Sequence, residues 1–523
     1  MAEGLNRGAN APAPELGYPA SVLGSWTLMV VAGLLGGSLA LIIAVGYARW
    51  LDDVVVAEVV LWVLLTELGL GVLGYGFLDA TDSSFVLSLG SLATPGALPD
   101  FHLLLVFDDL SAALWGVLAT ALIGCFYFLL EYFDFDAQGG YIALLSAAFS
   151  QAALAYFGAM DLWLIIALWE LISFISFLLV QFWTHRVCTI KAGLKVFCVS
   201  QVGDVFFFGY LFLATHFIMS TSCLEIEALA PAMAFEYIIW GSTLLHLPTL
   251  LTIGLTSAVF LKSAQTFFYP WLLDAMEAPV PISAQLHSST LVIIGFYLFF
   301  RQKAIFEVAP TLLSAFVVGG VATVVGASAL AYFQHDGKRL LACSTASQLG
   351  YVIVALGVSA WEEALLLLIF CCCNKAYTFV WFGALMQTHH GLSDFRLIPT
   401  HPRTTWATHT GLAIAIANAT VVPGAFAWHI KAIFTPSSPW DDTLAIEMGL
   451  EVLQLTWFFS SLYLFTLYAT LFLRPLRGPS SELLASPGRP SARRLGWGRS
   501  PNGPSFLGVM GVLLVAVAAP HGW

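Results

Sequence analysis

Lys262 lies in Leu255-Thr256-Ser257-Ala258-Val259-Phe260-Leu261-Lys262-Ser263-Ala264-Gln265, inside a stretch that otherwise has the composition of a membrane segment. A charge at bilayer depth costs several kcal/mol, so such residues are rare and mark ion or proton paths. Glu170, His287, Lys375 and Lys431 occupy comparable apolar stretches. A lysine in low dielectric is sensitive to whether a carboxylate stands beside it. Moving Glu170 towards or away from Lys262 would therefore switch the lysine between holding and releasing a proton. Histidine titrates near neutrality and relays between such groups. The chemistry these types support is proton or cation movement through a membrane.

The elements that must position them are helices. The chain has 523 residues, 59% hydrophobic and 10% charged, with mean hydropathy +0.85. Soluble domains carry about 25% charged residues. Apolar runs near the roughly 20 residues a bilayer requires fall at 22–47, 54–78, 109–131, 141–159, 162–183, 195–217, 238–268, 284–300, 310–333, 340–358, 364–387, 404–433, 448–473 and 505–519. The expected class is an all-α polytopic membrane protein with about fourteen transmembrane helices. The polar, Ala- and Pro-rich 1–20 has no Arg-rich amphipathic pattern and reads as a short exposed arm.

The net charge of −12 and the lack of a basic face exclude nucleic acid as a partner. Membrane lipids are the expected surroundings. None of the eight cysteines forms a C-x-x-C pair, and Cys371-Cys372-Cys373 reads as packing inside an apolar helix. No spacing suits zinc, haem or an iron–sulfur cluster. Gly69-x-Gly71-x-x-Gly74 lies within an apolar run with no preceding strand, so it reads as helix packing rather than a dinucleotide site. Asn418-Ala419-Thr420 is discarded as a glycosylation site because it falls inside a span.

Loop charge gives orientation. Arg49, Arg186/Lys191, Lys338/Arg339, Arg396/Arg403 and the tail arginines Arg474, Arg477, Arg489, Arg493 and Arg494 fall on one side. Asp79/Asp82/Asp100, Glu225/Glu227, Glu362/Glu363 and Asp441/Asp442 fall on the other. The loop 132–140 and the pair Arg301/Lys303 break this rule. With a fourteen-span count both termini face outward. Two long spans are interrupted, 238–268 by Pro248 and 404–433 by Pro423-Gly424, and each carries a lysine, Lys262 or Lys431. Proline breaks a helix where protein or water satisfies the freed carbonyls. Each broken span is the fourth of a five-helix block, which suggests two inverted five-helix repeats. The resulting division is an arm and three helices at 1–133, a first repeat at 134–301, a second at 302–473, and a linker with a closing helix at 474–523.

Lys262-Ser263-Ala264-Gln265, Pro270-Trp271-Leu272, Asp274-Ala275-Met276-Glu277-Ala278-Pro279, Pro281-Ile282-Ser283-Ala284 and His287-Ser288-Ser289-Thr290 form a specific block. So do Phe107-Asp108-Asp109-Leu110-Ser111, Trp169-Glu170, Gly203-Asp204, Lys338-Arg339-Leu340-Leu341-Ala342 and Ser344-Thr345-Ala346-Ser347-Gln348-Leu349-Gly350. From about 100 to about 435 the chain resembles the antiporter-like membrane subunits of respiratory complex I, NADH–ubiquinone oxidoreductase, of the chain 5 type. The resemblance carries Glu170, Lys195, Lys262, His287, Lys375, Lys431 and Asp204 over as proton-path residues. Lys195 stands near a helix start where it can snorkel, and Asp204 can equally serve as a packing hydrogen-bond group. Three positions depart from the pattern. Cys371 replaces a usual histidine, Ala432 a usual acidic residue, and Gln201 a common arginine. Water or Thr378 would then bridge at Lys375.

The resemblance implies a proton-translocating subunit of NADH:ubiquinone reductase in the mitochondrial inner membrane, or alternatively in a bacterial plasma membrane. It implies no cofactor in this chain, with FMN, iron–sulfur clusters and ubiquinone in partner subunits. The implied partners are the other membrane-arm subunits, above all the chain 4-type antiporter-like one, and accessory subunits. The runner-up reading is a large subunit of an Mrp-type sodium/proton antiporter. Glu170 and Lys262 are expected within one water of each other, and Lys375 and Lys431 on one central axis with His287. Relatives of this type continue into a long lateral helix. Six prolines within Arg474–Pro504 predict an irregular linker in its place.

Overall fold

In this computed structural model the described residues are 85–92, 101–133, 139–240, 243–288, 290–389, 391–398 and 459–473, with single helical positions at 60, 63, 66, 413 and 416. The spans expected at 22–47, 54–78, 404–433 and 505–519, the linker at 474–504, Lys431 and Ala432 lie outside them, apart from those single positions.

The chain is a mostly helical multi-pass membrane protein. Eight helices among the described residues are long and apolar enough to cross a bilayer. They are α1 (Asp109–Tyr132), α2 (Gly139–Gly158), α3 (Leu162–Val180), α4 (Val187–Leu213, its span running on to Ile218), α6 (Leu247–Lys262, its span running on to Phe268), α11 (Pro310–Phe333), α12 (Gly337–Gly357) and α13 (Trp361–Thr388, its span ending at Gln387). Short helices lie between them: α5 (Cys223–Leu229), α7 (Pro270–Asp274), α8 (Val280–Ser288), α9 (Ile294–Arg301) and α10 (Lys303–Val308). Side chains cap three of the long helices, Asp108 on α1, Asp161 on α3 and Asp336 on α12, each accepting from a backbone N–H of the first turn.

Strands add two hairpins to the helical expectation. β1 (Phe85–Leu92) pairs antiparallel with β2 (Phe101–Phe107), with an irregularity between Ser88 and Gly90. β3 (Tyr237–Trp240) pairs with β4 (Thr243–His246), and His246 leads directly into α6. The span expected at 238–268 is therefore a hairpin followed by a helix. A short apolar run does not reveal by periodicity whether it is strand or helix. Pro248 sits in the first turn of α6, where its missing N–H has no partner to lose, so it opens the helix instead of breaking it. The span expected at 284–300 divides into α8 and α9. The helix expected from 195 begins at 187, so Lys191 and Lys195 fall inside it.

The break in α6 comes immediately after Lys262. Ala264 and Thr266 take positive φ values of 55° and 45°, a conformation non-glycine residues adopt at a cost of about 1–3 kcal/mol. Neighbours offset that cost. Trp271 Nε1 donates to Leu261 O at 2.9 Å, Gln265 N to Phe260 O at 3.0 Å, and Thr266 N to Thr323 Oγ1 at 2.8 Å.

α12 is buried along nearly its whole length, whereas α4 presents Val202, Val205, Phe206 and Phe212 outward, as a lipid-facing helix does. α11 approaches α12 closely because glycines face each other. A Cβ on Gly350 would lie 2.8 Å from Val324 Cγ2 and 3.2 Å from Gly320 O.

Candidate proton path

The unwound backbone after Lys262 ends α6 at the ammonium-bearing residue, placing a cation at a helix C-terminus, where the helix dipole favours it. The side chain is 2% exposed. Nζ donates to Trp169 O at 3.2 Å and to Ser173 Oγ, and lies 4.0 Å from the centroid of the Trp169 ring. Ser173 Oγ donates in turn to Trp169 O at 2.8 Å. Every atom in this cradle is neutral.

The carboxylates stand one step further out. Trp169 Nε1 donates to Asp204 Oδ1 at 2.5 Å. Gln201 Nε2 bridges Glu170 Oε2 at 3.0 Å and Asp204 Oδ2 at 3.3 Å. The structure thus joins Glu170, Asp204 and Lys262 through Trp169 and Gln201. Lys262 makes no ion pair within 4.0 Å among the described residues. Glu170 and Lys262, expected within one water of each other, are joined here through Trp169, Asp204 and Gln201.

Lys195 goes elsewhere. Its Nζ pairs with Asp274 Oδ2 at 2.5 Å on a half-exposed surface beyond the α6 break. Arg301 and Lys303, which broke the loop-charge rule, are both paired. Arg301 is buried against Asp108, and Lys303 lies 3.7 Å from Glu307 and over Trp361.

His287, at the end of α8, is 1% exposed and neither ring nitrogen has a partner among the described residues. Its ring lies 6.3 Å from Phe379, one turn beyond Lys375 on α13. Lys375 is 1% exposed, so its ammonium faces protein and not lipid. Nζ donates to Ser344 Oγ on α12. Thr378 is not the bridge expected there: its hydroxyl donates to Lys375's own carbonyl at 3.1 Å. Tyr463, from the described helical stretch 459–473, buries its hydroxyl on the Ser344–Ser347 side of α12. Asn374 beside Lys375 is fully buried with neither amide atom bonded among the described residues.

Sequence reasoning placed Lys338 among the loop cations. The structure buries it, with Nζ donating to Met276 O at 2.5 Å and Ala278 O at 2.7 Å. The signal was weak, since Lys338 stands two residues before the apolar run at 340–358, and hydropathy alone does not separate a snorkelling lysine from an inward-turned one. No group of three or more His, Cys, Asp or Glu side chains among the described residues could hold a metal ion.

The family profile for the transmembrane region of NADH:quinone oxidoreductases and Mrp antiporters matches residues 159–431, just over half of the chain. The chain belongs to the NADH:quinone oxidoreductase/Mrp antiporter family. Within it, NADH-ubiquinone oxidoreductase chain 5 of Allomyces macrogynus is 37% identical over 228 residues, 44% of this chain and 34% of that protein. NADH-quinone oxidoreductase subunit L of Pseudomonas aeruginosa is 37% identical over 230 residues, 44% of this chain and 36% of that protein. The matches thus span about a third of the length of these relatives. In three dimensions the antiporter-family fold extends further. A chain of the Mrp complex from Dietzia superposes with TM-score 0.73 at 15% identity, covering 95% of both chains. A chain of an archaeal membrane-bound sulfane sulfur reductase gives TM-score 0.72 at 15% identity, covering 94% of both.

Proposed function

We propose that this chain is a proton-translocating membrane-arm subunit of an NADH:quinone oxidoreductase. The observation that carries the reading is the set of buried bases along the interior, Lys262, His287, Lys338 and Lys375, in a mostly apolar helical body. Charges at that depth are costly and are retained for transport. Their partners are chiefly neutral oxygens, and the unpartnered nitrogens of His287 suit bound water. Whether Lys262 keeps its proton depends on the charge state of Asp204 and Glu170, reached through Trp169 and Gln201. Lys431 would extend the path.

Redox chemistry belongs to partner chains that would carry FMN, iron–sulfur clusters and quinone. Its energy reaches this chain through conformation or electrostatics. The partners proposed are the other membrane-arm subunits, the chain 4-type subunit first. The proposed location is the mitochondrial inner membrane. Relatives named for both ubiquinone and bacterial quinone enzymes leave a bacterial plasma membrane as the second assignment. An Mrp-type sodium/proton antiporter is the second functional reading, favoured by the whole-length fold likeness to a chain of an Mrp complex.

The test is Lys262→Ala in membrane vesicles containing the assembled complex, with a pH-sensitive dye as the readout. NADH-driven acidification should fall severalfold while the complex still assembles. Undiminished acidification would reject the reading, and sodium-driven proton release without NADH oxidation would favour the antiporter.

A further inference from the structure

Trp169 stands between the buried cation and a buried carboxylate. Its carbonyl accepts from Lys262 Nζ at 3.2 Å, its ring face lies 4.0 Å from the same ammonium, and its indole N–H donates to Asp204 Oδ1 at 2.5 Å. The ring is completely buried, with Phe207 at 5.2 Å and 64° and Tyr156 at 6.3 Å holding its plane. We propose that Trp169 is a positioning residue that couples the charge of Asp204 on α4 to Lys262 on α6, through the face and the N–H edge of its indole. This inference rests on the proton-translocating reading of the site.

The electrostatics of the ring supply the reason. An aromatic ring is negative on its face and positive at its edge. A cation on the face and an anion at the N–H polarise it in the same sense, and in a dry interior each contact strengthens the other. The indole does what no other apolar ring does here. Phenylalanine offers the face without the donor, and tyrosine carries its donor at the far end of the ring. The charged groups around the ring are Glu170 on its own helix, Asp204 on α4 and Lys262 on α6. Of the two carboxylates, only Asp204 touches the indole; Glu170 is reached through Gln201.

The experiment is a double-mutant cycle in the assembled complex, with Trp169→Phe, Asp204→Leu and the combination, each normalised to the amount of chain in the membrane. Proton translocation should fall about tenfold in each single variant, the size expected for losing a hydrogen bond to a charged group. The double variant should fall no further than the worse single, because both remove one link. Wild-type translocation in Trp169→Phe, or losses that multiply in the double variant, would overturn the proposal. Lys262→Ala is the control. If it is inactive while Trp169→Phe pumps normally, this inference alone fails; if it pumps normally, the underlying reading falls and this inference with it. Should Trp169→Phe not accumulate, resonance Raman spectra of wild type against Asp204→Leu, which has neither charge nor acceptor, decide the matter. Loss of one strongly hydrogen-bonded indole N–H band supports the link, and an unchanged spectrum refutes it.

Discussion

Arg301 grips Asp108 with both terminal nitrogens, Nη1 to Oδ2 at 2.5 Å and Nη2 to Oδ1 at 2.7 Å, tying the end of α9 to the start of α1. The guanidinium also lies over the Tyr297 ring, 5.0 Å from its centroid. Asp108 meanwhile caps α1 through Ser111 N at 3.0 Å. One carboxylate thus starts a helix and neutralises a buried cation.

Asp108→Asn keeps a helix-capping oxygen and removes the charge, leaving Arg301 buried and unpaired. The expected loss of stability is about 3 kcal/mol, read as a lower thermal unfolding midpoint of the purified protein in detergent. The pH dependence has a definite sign. Burial pushes the Asp108 carboxyl up, but Arg301 and Ser111 outweigh it and hold the group below its ordinary 3.8. A lowered folded value means that the contribution is complete above 3.8 and drains away as pH falls through the folded value. Wild type should therefore lose this increment below 3.8, and Asp108→Asn should show no such loss. Parallel curves for the two proteins would reject the assignment.

Lys338→Met should reduce the amount of folded chain. It takes the ammonium donor from the carbonyls of Met276 and Ala278 at the turn into α8, Ala278 O keeping only the longer bond from Ser283 Oγ at 3.4 Å, at about 1–3 kcal/mol for an unsatisfied group. Pulse-chase measurement in membranes checks this. A variant with wild-type lifetime would show that the carbonyls find other donors.

Ser344→Ala removes the hydroxyl that Lys375 Nζ touches. Translocation should drop about tenfold. Thr378→Ala should stay near wild type, because that hydroxyl serves Lys375's carbonyl rather than its ammonium. Equal losses in both variants would mean that the cradle is misassigned.

Much of this architecture was legible in the chain. The long spans follow from apolar run length, and the helix observed at Pro310–Phe333 has the expected limits. The buried lysines were legible because a charge in the middle of such a run is too costly to face lipid and must turn into the protein. The hairpin at Tyr237–His246 was not, since a strand and a helix are equally apolar in a short run. Arg301 and Lys338 were misread as loop cations for a related reason. Each lies within two residues of a helix end, and only the tertiary fold decides whether the side chain turns in or out. The departure at Cys371 suggested a water or the Thr378 hydroxyl as the bridge at Lys375, and Thr378 is not that bridge; the hydroxyl on the ammonium is a different one. That hydroxyl, Ser344, comes from another helix, and pairing between helices leaves no trace in local spacing. The roles of Trp169, Ser173 and Gln201 were hidden likewise, although Trp169 and Gln201 already stood out beside Glu170 and Asp204.

The cradles around Lys262 and Lys375 bear on how fast such a path turns over. Pulling an ammonium from a buried carboxylate costs about 3–5 kcal/mol, whereas leaving a hydroxyl or a carbonyl costs about 1–3 kcal/mol. Each 1.4 kcal/mol is about tenfold in rate, so in the proposed path holding both lysines on neutral oxygens would remove one to two decades of delay from each proton handed on. In the proposed path such cradles would favour throughput, with Asp204 held one residue from Lys262, behind Trp169, as the brake.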